Sequence, residues 1–257
     1  MLNFRNTNIV FIILLLVLIA IQYNHGVDIS WFIALLLLYS LFLFYGSFNV
    51  RSRFFIKTRY GRKTNEKQIA LTFDDGPVQN FTPGILDILK EQNVSATFFC
   101  IGKNIDAGKE ILHRVHNEGH LIGNHSYSHG FWFDMLPAAK MKAELQQTHD
   151  LIRQVIGVDM AWFRPPYGVT NPNLAKAVKA MGYDTIGWNI RSMDTVVKEG
   201  DDLLQKIKKR LKPGAVILFH DTSPATVAML PAFLQFVKEQ QYQVVPLDKL
   251  LDLQAYR

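Results

Sequence analysis

At 257 residues the chain is long enough for one large domain or two small ones. Its net charge of +6 is concentrated between Arg51 and Lys67, and residues 68–257 balance to neutrality. A neutral domain lacks the basic face that phosphate backbones require, which excludes nucleic acid as the main ligand, and a single cysteine, Cys100, excludes an internal disulfide.

Residues 8–21 and 29–48 carry no charge and are rich in Leu, Ile and Phe. Each run, with its flanks, approaches the roughly 20 residues that cross a bilayer. They predict a transmembrane helical hairpin over residues 1–50, turning at residues 24–28. The first run alone would suit a signal-peptide core. It lacks a small-x-small cleavage site, however, and a second apolar run follows at once. The near absence of polar faces argues against two buried core helices. Tyr23, Trp31, Tyr39 and Tyr45 include candidate interface anchors. The turn has no Lys or Arg, whereas residues 51–67 have many and Arg5 precedes the first run. This bias places both ends, and the domain that follows, on the cytoplasmic side of the cell membrane. Residues 51–67 read as a basic juxtamembrane linker beside membrane lipids.

From residue 68 onward strands and helices alternate. Residues 68–73 read as a buried strand ending at Asp74-Asp75-Gly76-Pro77. A helix is predicted to follow up to Glu91, with Thr82 as N-cap and Pro83 in its first turn. Residues 94–101 are the next strand, 107–118 a helix, and 121–124 a strand ending at His125. A long helix over 138–155 precedes a strand over 160–163 that runs into Arg164-Pro165-Pro166-Tyr167-Gly168. Then come a helix to Met181, a strand over 183–188, a helix over 203–211, and a strand over 215–219 ending at His220-Asp221. A helix over 231–240 and a strand over 243–245 close the pattern. This alternation predicts an α/β fold with a mostly parallel sheet, six to eight strands in a compact or incomplete (β/α) barrel spanning residues 68–257.

The unusual polar residues fall just after strands, the edge where α/β barrels carry active sites. His125 and His129 stand four apart and can share one metal, on a helix or in a loop. Two His and one Asp make an open three-ligand site. Asp74 and Asp75, adjacent after a strand, point different ways, so one can ligate while the other acts as a base. Arg164, stiffened by two prolines, can hold a carboxylate in place. His220 can give a proton to a leaving group near neutral pH. Asp221 is a candidate cap for the next segment. Cys100 lies in an apolar run and reads as a buried free thiol.

Four ordered motifs, Thr72-Phe73-Asp74-Asp75-Gly76-Pro77, His125-Ser126-Tyr127-Ser128-His129, Arg164-Pro165-Pro166-Tyr167 and Leu218-Phe219-His220-Asp221, resemble those of the polysaccharide deacetylases, the NodB-homology domain of carbohydrate esterase family 4. The resemblance covers roughly residues 67–248. It implies a distorted (β/α) barrel of about seven strands. By matching motifs, Asp75, His125 and His129 would bind a divalent metal, commonly zinc and sometimes cobalt or nickel. Asp74 would be the general base, oriented by Arg164, and His220 the general acid, tuned by Asp194. The Tyr167 backbone N–H would hold the oxyanion, Leu218 would line the acyl-methyl pocket, and Pro166 and Trp188 would join the substrate contacts. Where many members have Asp-Trp, this chain has Asp194-Thr195, which removes one wall of the sugar groove. Residues 130–135 are unusually aromatic, suited either to packing or to a contact near the membrane.

The activity implied is metal-dependent N-deacetylation of an N-acetylated amino sugar in a glycan. Wall polymers lie outside the membrane, whereas the charge bias places the domain inside. A deacylase of a lipid-linked amino sugar on the cytoplasmic leaflet reconciles the two. The alternative from another class is a non-catalytic glycan-binding membrane protein, which would be favoured if ligands or acid were missing.

Overall fold

The structure is a computed structural model and describes residues 2–197 and 199–257. Two helices open it, α1 (Phe4–His25) and α2 (Ile29–Phe48). Asn3 caps the first by accepting from the Asn6 N–H (2.9 Å), and Asp28 caps the second by accepting from the Ser30 N–H (2.8 Å). Gly26, at φ 73°, ends α1 and lets the chain reverse. With 22 and 20 residues, the helices are about 33 and 30 Å long, enough to cross a hydrocarbon core of about 30 Å. Only Thr7 and Gly46 of their described residues are buried, so the apolar surface faces outward. The pair suits a signal or a membrane anchor. The two helices meet where Phe11 stacks on Tyr39 (4.2 Å) and the Tyr39 hydroxyl donates to Asn8 Oδ1 (2.8 Å).

The rest alternates strand and helix in the order β1 (Thr58–Arg59), β2 (Gln68–Asp74), α3 (Thr82–Glu91), β3 (Thr97–Cys100), α4 (Lys109–Asn117), β4 (Leu121–Asn124), α5 (Ala138–Ile156), β5 (Trp162–Phe163) and α6 (Pro172–Met181). It continues with β6 (Asp184–Ile186), β7 (Ile190–Arg191), α7 (Gly200–Lys208), β8 (Ala215–His220), α8 (Pro224–Glu239), β9 (Gln243–Val244) and α9 (Leu247–Leu251). Every strand pairing is parallel, in the order β1-β6-β5-β4-β3-β2-β8-β7, with β9 beside the start of β2. The sheet curls into a half-barrel of eight strands, the incomplete barrel that the alternation predicted. With β9, off that path, the described residues hold nine strands; the two beyond the seven read from the sequence are β1 and β7, of two residues each, too few to show a period.

Side-chain alternation sorts the sheet into two faces. Ile69, Leu71 and Phe73 of β2 and Ala215, Ile217 and Phe219 of β8 pack outward under the helices. Ala70 of β2 and Val216 of β8 belong to a smaller inner cluster with Phe99, Trp162 and Ile186. Register pairs Thr72 with Leu218 and Asp74 with His220. The apolar inner face therefore turns polar at the C-terminal edge, on two neighbouring strands at once. Cys100 lies in the outer core as a free, buried thiol, and burial pushes its pKa well up.

Three local expectations are corrected. Residues 51–67 are not a free linker: β1 pairs with β6, Gly61 bridges Ala215, and the Arg62 N–H donates to Gly214 O (3.0 Å). The segment spans the gap between the sheet's two flanks, where open backbone groups need partners. Thr82 is not an N-cap but the first residue of α3; its hydroxyl accepts from the Val78 N–H (2.9 Å) and donates to Asp221 (2.7 Å). The helix expected from Pro231 begins at Pro224, capped by Ser223, and Pro231 lies inside it.

Candidate active site

Asp74 ends β2 on the inner face and is 2% exposed. The next residue leaves the strand: Asp75 has φ 81°. That left-handed step breaks the strand's alternation, so the two carboxylates do not point apart as adjacency suggested: Asp74 Oδ2 and Asp75 Oδ1 lie 3.7 and 3.5 Å from the same nitrogen, His125 Nε2. Gly76 follows because a Cβ there would collide with the Asp221 carboxylate.

Beyond β4, His125 to His129 form a loop, not a helix. Ser126 and His129 also adopt positive φ, 63° and 47°. The loop is held from below. Asn124 Oδ1 accepts from the Ser126 N–H (2.9 Å), and Glu144 of α5 accepts from the Tyr127 and Ser128 N–H groups (3.2 and 2.8 Å) and the Ser128 hydroxyl (2.9 Å). His125 Nδ1 donates to Arg164 O (2.8 Å), which leaves Nε2 with the lone pair in the neutral ring.

Asp75 Oδ1 lies 3.5 Å from both His125 Nε2 and His129 Nε2. The ligand atoms of these three residues all fall within 4.8 Å of one another. Asp75 Oδ1 is buried without a hydrogen-bond partner. An orphaned carboxylate oxygen facing two imidazole nitrogens, too far for good hydrogen bonds, matches the donor set of a divalent cation. Burial opposes ionisation of Asp75, but His125, His129 and His220 outweigh it and hold the carboxyl well below its usual range. Burial also opposes charge on His125, yet Asp74 and Asp75 hold its pKa up; His129, buried beside His125, falls to about 4.

Arg164, expected as an orienter, is fully buried. Its Nη1 donates to Asp74 Oδ1 (2.7 Å) and Thr72 Oγ1 (2.8 Å), Nη2 to Gly187 O (3.1 Å) and Nε to Ile186 O (3.3 Å). The guanidinium lies 4.1 Å from the centroid of the Phe99 ring and 5.6 Å from that of Trp188. Asp74 is therefore fixed at one oxygen, while Oδ2 stands 3.7 Å from His125 Nε2.

His220 faces Asp74 across the β2–β8 register. Its Nδ1 donates to Asp194 Oδ1 (2.7 Å), and its N–H donates to Asp194 Oδ2 (2.7 Å). Thr226 and Ser223 brace Asp194 in turn. Burial disfavours charge on His220, but Asp194 outweighs it and holds the imidazole above its ordinary pKa. A proton donor loses function as pH rises through its pKa. Asp194→Asn removes the charge that keeps the proton on, so the alkaline limb of the kcat/KM profile moves to lower pH. An unmoved limb would assign that limb to another group.

Tyr167, with φ 57° and 48% exposed, sets its ring 4.6 Å from that of His129. Leu218 is 2% exposed, two residues before His220 on the same face. Pro166 is buried at the start of the turn that carries Tyr167. Trp188 packs on Gly168 and over Arg164, so it also braces the arginine. Thr195 is exposed beside Asp194. Asp221 caps nothing: it is buried and accepts from Thr82, and burial with nearby Asp75 and Asp74 pushes its pKa up to about 7. Of the aromatic stretch, Phe133 is core, whereas Phe131 and Trp132 are 72% and 68% exposed.

The sequence profile of the family described as polysaccharide deacetylase matches residues 61–186. The peptidoglycan-N-acetylmuramic acid deacetylase PdaA of Bacillus subtilis is 32% identical over 196 residues, 75% of this chain and 74% of that protein. This chain belongs to the polysaccharide deacetylase family. The peptidoglycan-N-acetylglucosamine deacetylase PgdA of Listeria monocytogenes is 34% identical over 198 residues, but those cover 73% of this chain and only 39% of PgdA. Among solved structures, the Bc1960 peptidoglycan N-acetylglucosamine deacetylase superposes with a TM-score of 0.73 at 30% identity, over 77% of this chain and 94% of that one. No role was legible in the sequence for Glu144, Ser223 and Thr226. Each acts through a partner in another element, and no local pattern marks it.

Proposed function

We propose that the protein is a metal-dependent N-deacetylase acting on N-acetylated amino sugars of a glycan. The observation that supports it most is the pairing of three converging donors, Asp75, His125 and His129, with a carboxylate fixed by Arg164 and a histidine fixed by Asp194. The Asp75–His125–His129 set suits a divalent metal, zinc first by ligand type, with cobalt or nickel as alternatives. When bound, such an ion supplies Lewis acidity toward water and the amide carbonyl.

The chain's own groups do the rest. Asp74 accepts a proton from the attacking water, whose oxygen bonds to the acetyl carbon. The Tyr167 backbone N–H donates to the developing oxyanion. Leu218 bounds the methyl group, and Trp188 contacts the sugar. His220, protonated and held at Nδ1 by Asp194, gives its proton to the departing nitrogen as the C–N bond breaks. Acetate and a free amine leave, and solvent returns the Asp74 proton to His220. The purified full chain in detergent is expected to release acetate from N-acetylglucosamine oligomers, to stop on chelation and to recover with added divalent metal. Activity indifferent to thorough chelation would overturn the metal-dependent reading.

A second reading for substrate, a lipid-linked amino sugar, is favoured by where α2 ends. Ser47 O accepts from the Thr170 N–H (3.0 Å), so the apolar hairpin reaches the loop that carries Tyr167. In this reading the hairpin anchors residues 68–257 to the cell membrane, and the charge bias sets that unit on the cytoplasmic side. The wall polymers named for the relatives lie on the other side. A reporter fused after Arg257 separates the two: a cytoplasmic signal favours lipid-linked substrate, an external one wall glycan. A non-catalytic glycan-binding role is disfavoured because ligands, base and acid candidates are all present.

A further inference from the structure

The end of α2 and the rim of the candidate site share two depressions that the hydrolytic reading touches only at Tyr167 and Trp188. One is polar. Arg51, Arg191 and Arg210 line it together with Asn49, Asn189 and Trp188. The Arg210 guanidinium reaches across to donate to Arg191 O (2.8 Å), which gathers two of the three arginines on one wall. Among the described residues, no carboxylate lines this cleft and none of the three arginines is in an ion pair. The other depression is apolar. Phe48, Phe131, Trp132, Met135 and Val169 line it, with Asp134 as its one carboxylate. Phe131, Trp132 and Met135 are 72%, 68% and 71% exposed, and Phe48 is 61% exposed. Phe48 and Tyr167 line both depressions. The apolar groove thus continues the surface of α2, and the cationic cleft opens on its other side.

A neutral, hydroxyl-rich glycan needs neither feature. Unpaired guanidiniums select phosphate or diphosphate oxygens, by charge and by their fork of donors. An exposed apolar patch that runs on from an apolar helix selects a hydrocarbon chain. One ligand satisfies both: an amphiphile with its anion at the junction of lipid and sugar. Tyr167, at that junction, touches the ring of His129. The sugar next to the phosphate would then lie over the candidate metal ligands.

We propose that this rim is a two-part seat for an amino sugar carried on a lipid phosphate. Arg51, Arg191 and Arg210 take the phosphate, and Phe48, Phe131, Trp132 and Met135 take the first part of the lipid. The inference rests on the deacetylase reading and adds its substrate class.

The test compares two substrates with the full chain in neutral-detergent micelles: N-acetylglucosamine esterified through phosphate to a long-chain alcohol, and the water-soluble N-acetylglucosamine oligomer. The phosphate-linked substrate is expected to have the higher kcat/KM by about tenfold or more, and R191A/R210A is expected to collapse that preference by about 10- to 100-fold, the worth of charge-assisted hydrogen bonds. F131S/M135S should erode it as well. No preference, or equal losses on both substrates in R191A/R210A, overturns the inference while leaving the deacetylase reading intact. A preference that appears only after anionic phospholipid is added also overturns it, because the arginines then read the bilayer. Binding of the sugar-free lipid phosphate, by titration calorimetry in the same micelles, tests the seat without turnover. Saturable binding weakened about tenfold in R191A/R210A supports it, and binding indifferent to those arginines contradicts it. If the lipid phosphate binds but neither substrate is hydrolysed, the deacetylase reading fails and the seat stands.

Discussion

Asp74→Asn is expected to lower kcat for acetate release by about a thousandfold and to leave bound metal in place. The amide keeps the size of the carboxylate, and its oxygen can still accept from Arg164 Nη1, which holds Asp74 Oδ1 at 2.7 Å. It cannot accept a proton from water. General-base catalysis is typically worth about 10²–10⁴-fold, so the loss falls in the middle of that span. The ligand set is untouched, because Asp75, not Asp74, contributes the carboxylate to the cluster with His125 and His129. Elemental analysis and initial rates on the same preparation check both halves. Wild-type kcat with full metal content would remove Asp74 from the role of base; metal loss would make it a ligand.

Arg164→Ala is the most damaging single change expected for stability. The side chain has no solvent exposure, and its partner Asp74 has almost none. Truncation leaves a buried carboxylate without a cation and strips donors from Thr72, Ile186 and Gly187. Breaking a buried pair from one side costs about 3–5 kcal/mol. The desolvation that makes such pairs only marginally stabilising as a unit predicts the companion result. The double variant Asp74→Ala, Arg164→Ala unfolds at a higher temperature than Arg164→Ala alone, because the stranded charge is gone. Thermal unfolding of both full-length variants in detergent reads this. A double variant less stable than the single would mean that packing on Phe99 and Trp188, not charge, dominates the site.

These expectations start from residues that the sequence made visible. Asp74, Asp75, His125, His129, Arg164 and His220 stand just after apolar runs, and a chemistry-bearing residue at a strand end is a local pattern. The hairpin was equally visible, as two long uncharged runs. What could not be read is non-local. Glu144 supports the His125–His129 loop from a helix beyond it, and Arg164 reaches both Thr72 and Asp74 of β2 from beyond β5. Asp221 looked like a cap because it follows a strand, yet Thr82 draws it inward. Arg51 to Lys67 looked like a linker because charge dominates its composition. Backbone pairing, which composition does not record, stitches it into the sheet. Trp188 and Pro166 were legible only as members of a motif. The structure gives the first a bracing contact with Arg164 and buries the second.

The left-handed residues Asp75, Ser126, His129 and Tyr167 share a second lesson. None is glycine, so each carries backbone strain that its surroundings must offset. All lie at the site and help aim its side chains, a cost that no propensity scale would assign to those positions.

We propose that Asp75, His125 and His129 form one metal site. Equilibrium binding of Zn²⁺ to the purified full chain in detergent, with Asp75→Ala and Asp74→Asn alongside, tests it most directly. One tightly bound ion is expected in the wild type and in Asp74→Asn, and none in Asp75→Ala. A wild type that binds no ion, or an Asp75→Ala variant that binds as the wild type does, would contradict it.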